Sequence, residues 1–316
     1  MEYNSLFSSL TSSSIETYEC DEAVEMYYPL ISADNGVEIL GSCNGLLCVR
    51  TSFPGGEDED AISLWNPSSN EYKELPSSPN HFSREDTGLY GFAYDSQDDD
   101  YKVVRVVDYY YNNYYDTGSD IEVYNLRSNS WKDIGPVPYL FPSHKIPGVI
   151  VNGVLHWLGA KISEPNFIVI AFAIGTETFK ELAVEGLHLP ECDENIYNYI
   201  LGALAGCLCL LFNVFDVQVD VWVMQANGVK ESWTKRISIT QENITRNNYL
   251  TLKWDFKNGE ILLMGDDFLF YYDSNRNRDK KVIIRGADLR FVAAENFVPS
   301  LVSLNSGTYV ERRMLE

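Results

Sequence analysis

The sequence contains few residues that carry positive charge. Its 316 residues include 24 Lys and Arg against 46 Asp and Glu, which gives a formal net charge of −22. Contacts to phosphate need Lys and Arg, so this deficit excludes a nucleic-acid-binding surface of the usual kind and disfavours docking on an anionic membrane. The excess of acids favours a basic partner, although acidic loops that only solvate the surface would explain it as well.

Motifs for catalysis and metal binding are also missing. We find no Gly-x-Ser-x-Gly elbow, phosphate loop, His-Glu-x-x-His pair or Rossmann fingerprint, and the 6 cysteines form no Cys-x-x-Cys pair. Of the 4 histidines, His156 lies beside Trp157 in a predicted strand, where a structural role is expected. The acidic stretch 95–100 lacks the spacing of a calcium-binding loop and predicts a hairpin turn instead. We therefore expect no catalytic residue, no cofactor and no metal site.

Long apolar runs and helical periodicity are scarce. No stretch of a dozen residues keeps a 3.6-residue apolar rhythm. The longest apolar stretch, residues 200–212, is too short to span a bilayer and predicts two buried strands around a Gly turn. The first residues show no signal peptide. These features predict a soluble protein of the cytoplasm or nucleus, with no membrane partner.

A recurrent phrase is present instead. It consists of an apolar–aromatic pair, a small polar turn and an aromatic–Lys–acidic–apolar run, as in residues 64–75, 123–134 and 171–182. Two looser copies follow. The aromatic residues that lead the five copies are Trp65, Tyr124, Phe172, Trp222 and Tyr272. Each copy predicts a strand, a tight turn and a second strand, and the spacing of roughly 50 residues is typical of propeller blades.

A second turn element precedes several copies of this phrase. Asn-Gly occurs at 44–45, 152–153 and 258–259, and Ala205-Gly206 fills the same place in the fourth unit. Asn-Gly supplies the positive φ angles of a two-residue hairpin, so each unit holds about four short strands. A four-stranded sheet hides its two faces by stacking radially against copies of itself. We therefore predict an all-β, kelch-like β-propeller of about five to six blades.

The ordered motifs resemble a plant family. The residues that carry the resemblance are Gly41 to Cys48, Leu64-Trp65-Asn66-Pro67, Tyr90 to Asp95, Tyr101 to Arg105, Val123 to Trp131, Val151 to Trp157, Val221 to Met224, Glu231 to Lys235 and Phe297 to Asn305. Their order and spacing resemble the F-box-associated domain, type 1, of plant F-box/kelch-repeat proteins, a group that includes the S-locus F-box proteins. The resemblance covers roughly residues 25 to 305. We expect an N-terminal remnant or edge segment at 1–30, the propeller at 31–305 and a C-terminal tail at 306–316.

The resemblance implies a substrate-recognition role in a Skp–cullin–F-box ubiquitin ligase, in which the propeller binds a target protein. The helical F-box expected before the propeller is missing, because residues 1–30 are Ser-rich and acidic and contain no Leu-Pro start. A Skp adaptor and a cullin are therefore expected partners only if an F-box lies upstream. The alternative is a free-standing protein-interaction propeller without ligase coupling. A general F-box/kelch role and an S-locus role both remain open.

Two segments are candidates for target binding. The first joins predicted strands 102–107 and 120–125 and contains five tyrosines and two acids in nine positions. Tyrosine is favoured at recognition surfaces because it supplies a large contact area with few rotors. The candidate residues are Tyr109, Tyr110, Tyr111, Tyr114, Tyr115 and Asp116 in this segment, and Glu57, Asp58, Glu59 and Asp60 in the second, acidic segment. Alternatively, some of the tyrosines extend the strands and pack on neighbouring blades.

Overall fold

Five β-sheets make up the fold. The computed structural model describes residues 17–20, 28, 36–52, 61–80, 88–108, 118–141, 146–163, 167–184, 199–214, 216–247, 250–256, 258–265, 268–285 and 295–307. Each sheet is built on four strands that follow one another along the chain and pair antiparallel. This arrangement confirms the predicted β-propeller, with five blades.

The first two blades use consecutive strands. Blade I contains β2 (Gly36–Cys43), β3 (Leu46–Ser52), β4 (Ala61–Asn66) and β5 (Glu71–Glu74). Blade II contains β6 (Gly88–Asp95), β7 (Asp100–Asp108), β8 (Ser119–Asn125) and β9 (Ser130–Val137).

The inner strand of blade III is interrupted. Blade III contains β10 (Tyr139–Leu140), β11 (Val149–Val151), β12 (Val154–Lys161), β13 (Phe167–Ala173) and β14 (Thr178–Ala183). Both β10 and β11 pair antiparallel with β12, so these two short strands share one strand position in the blade. The sequence pattern did not predict this interruption.

The last two blades complete the ring. Blade IV contains β15 (Tyr199–Leu204), β16 (Cys207–Val214), β17 (Gln218–Met224) and β18 (Trp233–Ile239). Blade V contains β19 (Thr251–Asp255), β20 (Glu260–Met264), β21 (Leu269–Asp273) and β22 (Arg278–Ile284). A 3-10 turn at Lys230–Ser232 and the short helix α1 (Glu242–Thr245) are the helical elements in the described part of the chain. Neither combines the length and apolar content needed to cross a bilayer.

The blades pack face to face, which explains their sequence. The inner strands of successive blades are in contact: β2 with β6, β6 with β11, β11 with β15, and β15 with β19. A sheet covered on both faces needs apolar side chains on both, and β4, β8 and β13 are accordingly almost continuously buried. Among the leading aromatics, Tyr124, Phe172 and Tyr272 are at most 2% exposed. The phrase recognised in the sequence is thus the third and fourth strands of each blade.

The hairpins at 44–45, 152–153 and 205–206 have the backbone that their residues predicted. The prediction for Asn258-Gly259 was wrong, because the link there has four residues, 256–259, and of this pair only Gly259 has a positive φ (90°). Asn44 and Gly45 have φ of 49° and 82°, and Asn152 and Gly153 have φ of 52° and 74°. Ala205 adopts the same left-handed conformation (φ 53°) before Gly206. The apolar stretch 200–212 is indeed two strands around this turn.

Both ends of the described chain lie against blades I and V. The short strand β1 (Thr17–Cys20) pairs parallel to β22 at the outer edge of blade V. We call residues 295–307 the C-terminal segment. It starts at blade V, where Asn296 donates to the carbonyl of Lys253 (2.6 Å), and continues to blade I, where the side chain of Asn66 donates to the carbonyls of Ser300 and Val302. The segment therefore bridges the last and the first blades.

Candidate functional site

The strand order gives the propeller two unlike faces. We call the face with the hairpins that join the first to second and the third to fourth strands of each blade the short-turn face. The opposite face, with the links between second and third strands and between blades, is the long-connection face. Links on the short-turn face have two to eight residues, whereas the links at 75–87 and 184–198 on the opposite face have 13 and 15. Such long connections commonly carry binding residues on propellers and other rigid scaffolds.

Formal charge is divided unequally between these faces. The long-connection links contain 16 acids and 2 bases, a net charge of −14. The residues counted are 53–60, 75–87, 109–118, 162–166, 184–198, 215–217, 240–250 and 265–268. The short-turn links contain 4 acids and 4 bases, a net charge of 0. More than half of the net charge of −22 therefore belongs to one face.

Both segments predicted to bind a target belong to the long-connection face by topology. Their candidate residues, Tyr109, Tyr110, Tyr111, Tyr114, Tyr115, Asp116, Glu57, Asp58, Glu59 and Asp60, lie outside the described residues. The strands that flank the acidic segment are β3 and β4 of blade I, and those that flank the tyrosine segment are β7 and β8 of blade II. Since these are the same links of neighbouring blades, the flanking strands end on one face.

A charged cluster lies between blades I and II near these strand ends. Arg50, two residues before the end of β3, forms an ion pair with Glu38 of β2, and its guanidinium lies 5.7 Å from the centre of the Tyr90 ring of blade II. In blade II, Arg105 lies 4.0 Å from the carboxylate of Glu122. Blades I and II, whose strands flank the two candidate segments, thus position one arginine each.

Glu122 is the most deeply buried member of this cluster. Its side chain is fully buried, and its oxygens accept hydrogen bonds from the hydroxyl of Ser78 (2.7 Å) and the amide of Asn80 (2.8 Å). Burial raises the pKa of Glu122, and these hydrogen bonds and Arg105 only partly oppose that rise. Because Ser78 and Asn80 lie in the link from blade I to blade II, Glu122 fixes part of that link.

Sequence reasoning missed this cluster. The available signal was a single charge inside an apolar strand, as with Arg105 between two valine pairs and Glu122 between Ile121 and Val123. Such a residue is seldom tolerated in a blade without a partner. The hydrogen-bond partner of Glu122 could not be predicted from the sequence, because Ser78 and Glu122 are 44 residues apart.

Apolar side chains are also exposed at the long-connection face. Val37, Val217 and Phe268 are 40%, 59% and 38% exposed, and each lies at or next to a strand end on this face. Apolar groups within an acidic surround are typical of protein-interaction surfaces.

The residues considered for catalysis or metal binding lie in the packed core or in a hairpin turn. His156 is buried, its Nδ1 lies 3.3 Å from the carbonyl of Val149, and burial lowers its pKa. The acidic stretch 95–100 forms the turn between β6 and β7, in which Asp95 accepts from the backbone N–H of Gln97 (2.9 Å). Among the described residues, no group of three or more His, Cys, Asp or Glu side chains is arranged to hold a metal ion.

Fold and repeat place this chain among the five-bladed β-propellers. Residues 2–304 match the sequence family described as the F-box associated beta propeller domain. The chain therefore belongs to that family, which confirms the resemblance found in the motifs.

Curated relatives carry consistent names. The chain is 28% identical to F-box protein CPR1 of Arabidopsis thaliana, covering 92% of this chain and 73% of the relative. It is 28% identical to F-box protein At3g07870 (79% and 66% covered) and 26% identical to F-box/kelch-repeat protein At3g23880 (78% and 68%), both from Arabidopsis thaliana. The chain thus spans about two thirds to three quarters of the length of these relatives.

Solved structures show a more distant similarity. An Aleuria aurantia lectin is 8% identical with a TM-score of 0.48, covering 80% of each chain. A Trypanosoma rangeli sialidase is 10% identical with a TM-score of 0.44, covering 84% of this chain and 49% of the sialidase. Similarity at this level carries no argument about function.

Proposed function

We propose that this chain is the substrate-recognition propeller of a Skp–cullin–F-box ubiquitin ligase and binds a protein target for ubiquitylation. Membership of the F-box-associated family carries the proposal, because the curated relatives are named F-box proteins. The chain itself acts as a non-enzymatic receptor, and its Skp and cullin partners depend on an F-box encoded upstream.

The target is a basic protein that docks on the long-connection face. The net charge of −14 on the links of this face favours such a partner, and the balanced short-turn links do not. Opposite charge speeds encounter, while aromatic anchors and exposed apolar groups supply most of the affinity. The five tyrosines of segment 109–116 and the acids at 57–60 are therefore proposed as target contacts.

Replacing Tyr109, Tyr111 and Tyr114 by Ser tests the tyrosine segment. We expect target capture from plant extract to fall about tenfold or more, since each aromatic anchor contributes on the order of 1–2 kcal/mol. The midpoint of thermal unfolding should change little. A large drop in this midpoint would instead mean that the rings are part of the core, and unchanged capture would contradict the proposal.

Neutralising the acidic segment tests the charge argument. In the variant Glu57→Gln, Asp58→Asn, Glu59→Gln, Asp60→Asn, the association rate with the captured target should fall and depend less on salt. Glu231→Gln is the control, because Glu231 is an exposed acid of a short-turn link. Equal effects of both variants would mean that the two faces do not differ in binding.

Ligase coupling is tested separately. The genomic sequence upstream of Met1 should contain an in-frame F-box exon, and the complete gene product should co-purify with a Skp adaptor. If no such exon exists, the free-standing interaction propeller is the correct alternative, since it needs the same target-binding face but no adaptor.

A further inference from the structure

The short-turn face has a groove at the junction of blades I and II. It has a volume of about 530 Å³ and lies between the first hairpin turns of both blades and the C-terminal segment. Its lining includes Asn44, Tyr94, Asp99, Tyr101, Val298 and Pro299. All of these residues are remote in topology from the long-connection face, because they belong to or pack against short-turn links.

Two tyrosines form the aromatic lining. The Tyr101 ring is only 8% exposed and stacks on Phe92, with centroids 5.8 Å apart and planes inclined by 23°. The Tyr94 ring lies 5.0 Å from that of Tyr101, and the side chain of Asn44 hydrogen-bonds the Tyr101 hydroxyl. The rings are held by packing before any ligand arrives, so binding would cost little ordering of side chains.

A carboxylate is fixed at the rim of the groove. Asp99 has a left-handed backbone (φ 52°), its side chain is 80% exposed, and the Tyr94 hydroxyl donates to its Oδ1. Arg127 donates to the Asp99 carbonyl (2.7 Å) and lies 3.6 Å from Oδ2. These contacts set the position of the carboxylate and leave most of its surface open to water.

The third wall presents apolar side chains to water on a fixed backbone. Ser300 N–H donates to the Ser68 hydroxyl (3.2 Å), and the Asn66 amide donates to the carbonyls on both sides of Leu301. Nevertheless Val298, which lines the groove together with Val302, is 59% exposed. An aliphatic side chain that is held in water by such a hydrogen-bonded segment is a feature of docking surfaces.

We propose that this groove binds an extended peptide segment of a partner protein in which a basic side chain lies next to an aliphatic one. The basic group pairs with Asp99 and lies over the tyrosine rings, which attract cations through their electron-rich faces. The aliphatic group covers Val298 and Val302. This site is separate from the target-binding face and does not depend on ligase coupling.

Methyl NMR of the full chain, labelled at Leu and Val, tests the site with two short probes. We titrate the acetylated and amidated tripeptide Leu-Arg-Leu against its Leu-Glu-Leu counterpart. The Arg probe should shift the methyl signals of Val298 and Val302 and bind at least about fivefold more tightly than the Glu probe, as expected when a charge pairs rather than repels. Equal affinity of the two probes would overturn the proposal.

Variants of the full chain locate the contact. Asp99→Asn should weaken the Arg probe about fivefold, and Val298→Ala should weaken both probes, while Glu231→Gln, at another exposed acid, serves as the matched control. If Asp99→Asn and Glu231→Gln had the same effect, the carboxylate would not be the recognition element, and the proposal would fail.

The chain itself offers a competing occupant. Residues 312–315 read Arg-Arg-Met-Leu, which has the chemistry proposed for the partner. In the full chain, Arg312→Gln with Arg313→Gln should leave the affinity of the Arg probe within about twofold. A gain of about fivefold or more would show that this tail occupies the groove and would overturn the assignment to a partner.

Discussion

Glu71 is a buried carboxylate that holds the C-terminal segment to blade I. It is 1% exposed, and its oxygens accept hydrogen bonds from the backbone N–H groups of Leu304 and Ser306 (both 2.9 Å) and from the hydroxyls of Ser303 and Ser306. Burial by itself raises the pKa of Glu71, but these donors outweigh it, so that the pKa lies below its ordinary value. Only an ionised carboxylate accepts all four bonds well.

Replacing Glu71 by Gln should therefore destabilise the protein by about 2–3 kcal/mol at pH 7, measured by urea unfolding. Because the folded pKa is depressed, the unfolded state binds the proton more readily. The contribution of Glu71 to the free energy of unfolding is therefore fully present above the unfolded-state pKa of about 4.3. It is lost as pH falls through the pKa of the folded state.

The difference between wild type and Glu71→Gln should accordingly shrink below about pH 4. Glu74→Gln on the same strand is the control, since Glu74 is exposed. A stability difference that stays constant down to pH 3 would contradict this role of the carboxylate.

At the scale of elements, a buried ion cluster joins blades II and III. Lys102 of β7 is 3% exposed, and its Nζ lies 2.8 Å from Asp95 and 3.3 Å from Glu177 in the turn between β13 and β14. It also donates to the carbonyl of Ile174 (3.2 Å). Burial raises the pKa of both carboxylates, but the opposing effects are larger: Lys102 and backbone N–H groups lower the pKa of Asp95, and Lys132 and Lys102 lower that of Glu177.

Lys102→Met should cost about 3–5 kcal/mol in the free energy of unfolding, because it leaves two carboxylates without their buried partner. Lys132 pairs with the same Glu177 but is 60% exposed, so Lys132→Met should cost about 1 kcal/mol or less. Comparable losses in chemical denaturation of the two variants would show that burial does not govern this cluster.

Some of these structural elements could be predicted from the sequence, and others could not. Hairpins such as Asn44-Gly45 were predictable because their backbone demands residues that tolerate positive φ. By contrast, the four-residue β1 has no strand pattern, and the C-terminal segment is held by side chains more than 230 positions away. The groove beside Tyr94 and the cluster around Glu122 likewise depend on contacts between blades, which no local spacing encodes.

At the scale of the whole molecule, the junction of blades V and I differs from the other four. Single apolar clusters span the junctions I–II, II–III, III–IV and IV–V in the described residues. Blade V and blade I instead have separate clusters, one around Tyr271 with β1 and one around Trp65 with Phe297. The bridging C-terminal segment therefore carries much of the closure of the ring.

This arrangement predicts where the ring opens first. In native-state hydrogen exchange with increasing denaturant, the amides of Leu304 and Ser306 should lose protection before those of Val169 and Ile170 in blade III. Sub-global opening at one junction explains the order, because the others share continuous apolar packing. Simultaneous loss of protection from exchange at all four amides would instead indicate that the ring opens as one unit.

The charge division between the faces and the family together define the central claim, a target receptor within a ubiquitin ligase. Affinity capture of the complete gene product from plant cells, with quantitation of Skp adaptor, cullin and captured proteins, tests it most directly. We expect adaptor and cullin to be recovered with both the wild type and the Tyr109→Ser, Tyr111→Ser, Tyr114→Ser variant, and basic target proteins to be recovered with the wild type alone. Recovery of the same proteins with both forms, or of targets without adaptor and cullin, would contradict it.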